Sequence, residues 1–100
     1  MATLGSRVHY AGNTIRYVIE YDQWLQEGES LKAPCTVAVA AQTPPITDVT
    51  ITGITTTPSN EIVFLMGGGS ANEVFTLNVL ATNSRNEVKN DTIEFSINTP

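Results

Sequence analysis

Three consecutive glycines, Gly67, Gly68 and Gly69, stand between two apolar, alternating runs in the stretch VFLMGGGSANEVFTLNV. Glycine-rich loops can cradle phosphates, because bare backbone N–H groups approach the anion closely. A P-loop, however, needs a lysine and a following helix, whose N-terminus faces the phosphates. No lysine follows Gly69, and the residues after it alternate in the manner of a strand. A dinucleotide-binding fingerprint fails on the same ground, since it too must open a helix. The triplet reads instead as a hairpin from Gly67 to Asn72, with glycine supplying positive φ where the chain reverses.

The remaining reactive side chains are as sparse. His9 is the sole histidine, which excludes a histidine-pair metal site, and no serine stands in a context that would make it the nucleophile of a triad. It reads as a surface or partly packed residue. The carboxylates are dispersed, with Glu20 and Asp22 near Trp24 and Glu27 and Glu29 in one turn. They suit solvated faces better than a paired-carboxylate or calcium site. Cys35, the only cysteine, lies in APCTVAVA and reads as a buried, inert thiol without the cationic setting of a reactive one. No catalytic, metal or cofactor-binding residue is assigned. Trp24 has two readings, a plug for one end of the fold or an anchor for a partner.

The elements that would position these residues are strands. TIRYVIEY (Thr14 to Tyr21) sets Ile15, Tyr17, Ile19 and Tyr21 on one face. DQWLQEGES breaks the alternation and fits one helical turn around Trp24 and Leu25, from an Asp22 N-cap to a Gly28 stop. APCTVAVA resumes it, and Pro44-Pro45 closes that strand. TDVTITGI, NEIVFLM, EVFTLNVLAT and DTIEFSIN follow, separated by TTTPSN, the glycines and NSRNE. NEIVFLM is apolar on both faces and reads as a doubly covered or interface strand. An extra strand is expected at SRVHY.

Six or seven short strands in 100 residues, with no room for a three-turn helix, predict an all-β chain. The favoured architecture is a small immunoglobulin-like antiparallel β-sandwich. Residues 1–13 would form an N-terminal arm or edge strand, and residues 14–100 the single sandwich domain. The expected core is Val8, Ile15, Tyr17, Ile19, Leu31, Val37, Val39, Val49, Ile51, Ile62, Phe64, Phe75, Leu77, Val79, Ile93, Phe95 and Ile97.

Composition agrees and excludes some partners. The chain is 41% hydrophobic and 15% charged, too apolar for disorder. Its net charge is −5, and five scattered basic residues offer no patch for nucleic acid. No apolar run reaches the ~18 residues of a membrane span, and MATLGSRVHYAGNT has no apolar core of a secretory leader. The expectation is synthesis in the cytosol, with neither nucleic acid nor membrane as partner.

YDQWLQEGESLKAPCTVAV resembles the first half of the bacteriophage fiber-tail adaptor family, through Tyr21, Asp22, Trp24, Leu25, Gly28, Glu29 and Leu31. The second half is similar too. A strand (Ile62 to Met66) leads through Gly67 to Gly69 into an aromatic-led strand (Phe75 to Thr82), then a turn and closing strand (Asn83 to Ile97). The resemblance implies a non-enzymatic structural protein of the virion tail, assembled in the host cytoplasm. It would join tail fibres to tail tube, adaptor or nozzle proteins, with copies of itself arranged in a ring. The expected interface residues are Tyr10, Trp24, Leu25, Gly67, Gly68 and Gly69, with the apolar IVFLM as a further surface. Two other readings stand beside it. One is a carbohydrate- or host-surface-binding module using Trp24, Tyr10, Tyr17 and Tyr21, and the other is a capsid decoration or neck protein.

Overall fold

The computed structural model describes residues 2–42 and 45–99. Seven strands follow one another: β1 (Ala2–Tyr10), β2 (Thr14–Glu20), β3 (Leu31–Val39), β4 (Val49–Thr56), β5 (Glu61–Gly68), β6 (Val74–Asn83) and β7 (Val88–Asn98). They form a four-stranded sheet in the order β1-β7-β6-β3 and a three-stranded sheet in the order β2-β5-β4. The pairs are antiparallel except β1 with β7, which is parallel. The core pairing is that of an immunoglobulin sandwich, in which strands B, E and D face C, F and G. Here the first strand lies against the last one instead of joining the opposite sheet.

Alternation decides the burial. Ile62, Phe64 and Met66 of β5, Phe75, Leu77, Val79 and Ala81 of β6, and Ile93, Phe95 and Ile97 of β7 fill the space between the sheets. Each large apolar side chain so buried contributes ~1.5–3 kcal/mol. Aromatic rings tie the layers together. Tyr17 stacks near Phe64 at 5.7 Å and meets Phe95 edge-on at 5.2 Å.

Four details depart from the sequence reading. First, the glycine segment is not a hairpin. β5 and β6 belong to different sheets, so Gly67 to Asn72 carries the chain from one layer to the other. Strand–glycine–strand has the same sequence signature for both connections. Second, β1 presents the opposite face from that expected, with Val8 48% exposed and His9 1% exposed. The imidazole is buried because both its nitrogens are satisfied. Nε2 lies 3.0 Å from the Asn13 carbonyl, which can only accept, so Nδ1 accepts from the Tyr17 hydroxyl at 2.8 Å. Third, Ile15 shares the inner face of β2 yet remains exposed at the start of that strand. Fourth, Cys35 is half-buried rather than buried. The described residues contain no longer helix, and the single helical turn expected near Trp24 is present. In it the N–H groups of Trp24 and Leu25 both reach the Tyr21 carbonyl. β3 ends at Val39, and Pro44 of the expected stop lies outside the described residues.

Candidate interaction site

The residues expected at interfaces fall at the two ends of a body 43 Å long and 24 × 19 Å across. Trp24 and Leu25 occupy one pole. Past the end of β2, the Tyr21 N–H donates to the Asn60 carbonyl at 3.0 Å, fixing the chain against the β4–β5 turn. Trp24 is half-buried against the core, its ring edge-on to Tyr21 at 6.0 Å and 73°. Beneath it, the Tyr21 hydroxyl donates to Asp91 Oδ2 at 2.9 Å, and Lys89 Nζ donates to Asp91 Oδ1 at 3.0 Å. Asp91 is fully buried. A carboxylate there is tolerable only because both oxygens are paired. Burial, then the hydrogen bond to Asp91 and its negative charge, push the Tyr21 hydroxyl far above the ordinary phenol range.

The rim of this pole is polar and closed on itself. Asn83 Oδ1 accepts the N–H groups of Arg85 and Glu87, and Asn83 Nδ2 donates to Glu87 Oε1. This side chain shapes the β6–β7 turn in the way asparagine commonly does. Arg85 reaches Glu29 at 3.9 Å.

Gly67, Gly68 and Gly69 lie at the opposite pole with Tyr10, which is 47% exposed. Gly68 has φ +79°, and a Cβ built on it would collide with the Asp48 carbonyl oxygen. Gly69, at φ +88°, donates its N–H to that same carbonyl at 3.0 Å. The Ser70 hydroxyl donates to the Asp48 side chain, a bond that holds the carboxyl below the usual carboxylate range. The glycines therefore serve a close passage of two backbone segments, and nothing in this geometry resembles an anion cradle. Near the same pole, Ala11 N–H donates to Asn98 and Asn72 N–H to the Ile97 carbonyl, binding the loops together.

The aromatic residues do not assemble a sugar-binding platform. Tyr21 is 2% exposed, Tyr17 lies between the sheets against Phe64 and Phe95, and Tyr10 sits at the other pole from Trp24. Among the described residues there is no group of three His, Cys, Asp or Glu side chains that could hold a metal ion. The apolar IVFLM stretch is buried on one face only. Val63 and Leu65 point outward from the three-stranded sheet, beside Val18 and Ile54, and Leu65, Val18 and Ile54 are exposed.

Sequence reasoning passed over Asp91 and Asn83, and it read His9 as a surface or partly packed residue where the structure buries it. The alternation that buries Ile93, Phe95 and Ile97 also assigns Asp91 to the inner face, and the parity of Phe75 to Ala81 does the same for Asn83. The signal was the phase of the strand, overridden by the polarity of the residue.

A family model described as Podophage GP4 fiber-tail adaptor protein gp77 matches residues 10–96 of the chain. No curated protein matches. Among solved structures, a 2,6-sialyltransferase of Photobacterium sp. JT-ISH-224, determined with CMP and lactose, superposes with a TM-score of 0.56 at 7% identity. The match covers 100% of this chain and 18% of that one. At such identity the likeness is one of fold, and this sandwich corresponds to under a fifth of the enzyme.

Proposed function

The chain belongs to the podophage fiber-tail adaptor family, and from that premise we propose that it is a non-enzymatic structural component of the virion tail, one pole seated on the tail and the other on a fibre. The family match across residues 10–96 carries this reading. The geometry supports it in one respect. A linker needs two contact surfaces that do not overlap, and the candidate residues divide between poles at opposite ends of a 43 Å body. Trp24 and Leu25 supply an aromatic and aliphatic anchor at one pole, of the kind that dominates interface energy. Gly67 to Gly69 and Tyr10 supply the other. Copies stand in a ring about the tail axis, each repeating the same contacts, after assembly in the host cytoplasm.

Cryo-electron microscopy of purified virions tests the proposal. The expected result is density for the sandwich between the tail and the fibre bases, in ring-symmetric copy number. Density at the head–tail neck or on the capsid surface would refute the tail placement, and absence of the chain from virions by mass spectrometry would refute the reading altogether.

A further inference from the structure

The two sheets do not cover each other completely. Tyr17 of β2 packs on Phe95 of β7, and Tyr21 reaches Asp91 of the same strand, so β2 lies beneath β7. On the far side β3 lies against β4. With four strands over three, β1 overhangs with no strand beneath it. Where the chain crosses from β1 in one sheet to β2 in the other, His9 and Tyr17 pin the two strands together. The result is a cleft of about 410 Å³ lined by Arg7, Tyr17, Ile19, Glu20, Phe64 and Phe95. In an immunoglobulin sandwich this place beside strand B belongs to strand A.

The edges of the sheets differ in a way that singles out the same place. β1, β3 and β4 are each interrupted by a register shift, at Thr3/Ser6, Lys32/Thr36 and Thr52/Thr55. Bulges of this kind blunt an edge against pairing. β2 alone runs without a shift, in register with β5 over all seven residues from Thr14 to Glu20. Arg7 shares the inward phase of His9 on β1 and lines the cleft. Its charge is felt at the Tyr17 hydroxyl, and its hydrogen bond goes to the carbonyl of its own neighbour, Ser6. Neither Arg7 nor Glu20 has an ion-pair partner among the described residues.

We propose that an extended segment of a partner protein, apolar on one face and bearing an acidic residue there, pairs with the free edge of β2 and fills the cleft beneath β1. Its backbone completes the sheet by strand addition, an apolar side chain rests on the half-buried ring of Tyr17, and its carboxylate meets Arg7. The arginine sets the selectivity at its own position, because an apolar or basic residue opposite it would leave or worsen an unpaired charge, as an acidic residue opposite Glu20 would. A second copy of this chain fits less well. Its β1 overhangs its own β2 in the same way and would collide with β1 here.

The test uses the isolated full chain, isotopically labelled, and two peptides as long as β2, seven residues. Both alternate threonine with valine, and the central inward residue is aspartate in one and lysine in the other. The aspartate peptide is expected to shift the amides of Thr14 to Glu20 and of the residues around Arg7. It should bind about fivefold more tightly than the lysine peptide, the scale of one partly exposed ion pair. Arg7→Glu should reverse that order without changing thermal stability, since the side chain is exposed. The proposal is overturned if the aspartate peptide fails to bind at about millimolar concentration. Equal affinity of the two peptides, or shifts on the β3 or β4 edge, would overturn it as well. So would amide shifts of β2 that follow protein concentration alone, which would assign the slot to a second copy. Because no virion is involved, this result is separate from the tail placement, and either can fail alone.

Discussion

Gly68→Ala isolates the role of the glycine segment. At φ +79° any L side chain is strained, at roughly 1–2 kcal/mol for alanine. The added methyl would also collide with the Asp48 carbonyl oxygen, a backbone atom that cannot swing aside. Relief requires shifting the segment before β4, and that costs about 1–3 kcal/mol as overpacking does in a core. It also weakens the bond from Gly69 N–H to the same carbonyl, worth about 1 kcal/mol. The whole loss is about 3–6 kcal/mol, a large share of the ~5–15 kcal/mol that holds a domain together. Gly28→Ala is the control, because Gly28 has φ +83° and nothing within 4 Å of the built Cβ. It should lose only the strain, roughly 1–2 kcal/mol. Urea denaturation and calorimetry of the two variants should therefore differ by about 2–4 kcal/mol, or ~10–30 °C in Tm for a domain of this size. Equal losses would refute the argument that the close passage at Asp48 is what demands glycine.

Other outcomes follow from the polar pins. Tyr21→Phe removes the donor to a buried carboxylate oxygen and should cost about 1.5–3 kcal/mol by urea denaturation. Because the Tyr21 hydroxyl is raised in the fold, the folded chain keeps a proton that the unfolded chain releases near pH ~10, so stability is full below that pH and falls above it. Tm measured from about pH 8 to 11 should show this alkaline loss reduced in Tyr21→Phe, with a smaller remainder from Tyr17, also raised. His9→Leu leaves the Tyr17 hydroxyl and the Asn13 carbonyl without their partner. Hydrogen exchange should accelerate in β1 before the β6–β7 pair is affected. Asn83→Ala removes the side chain that accepts two turn N–H groups, and should cost about 1–2 kcal/mol in calorimetry while leaving Trp24 fluorescence unchanged.

Alternation made the sandwich legible, since DTIEFSIN, EVFTLNVLAT and NEIVFLM each lie within or across the strand that they predict. What it could not fix was sheet membership. A glycine-containing link between two strands has the same local sequence whether the strands pair or face each other across a core. The difference lies in long-range packing, here Gly69 against Ile97. Nor could alternation choose the phase of β1, where Val8 and His9 compete for the inner face. Hydrophobicity favours valine, but Tyr17 and Asn13 supply the ring with both hydrogen bonds. Trp24 and Leu25 were legible as a break in pattern, whereas their separation from the glycines by the length of the molecule needed the topology.

The two buried polar clusters bear on why such a fold suits a linker. Tyr21, Asp91 and Lys89 tie the two sheets near the Trp24 pole, and His9, Tyr17 and Asn13 tie them near the glycine pole. An apolar core between two sheets tolerates sliding and repacking at small cost, because hydrophobic burial is non-directional. A hydrogen bond is directional, and breaking one inside the sandwich leaves a buried group unpaired. No buried side-chain nitrogen or oxygen among the described residues lacks a partner, so sliding one sheet on the other would break bonds that are all made here. Two such pins, one toward each end, fix the register of one sheet on the other and with it the spacing between the poles. A sandwich of equal stability held by apolar contacts alone would not fix that spacing, and the proposed seat on a different protein at each end depends on it.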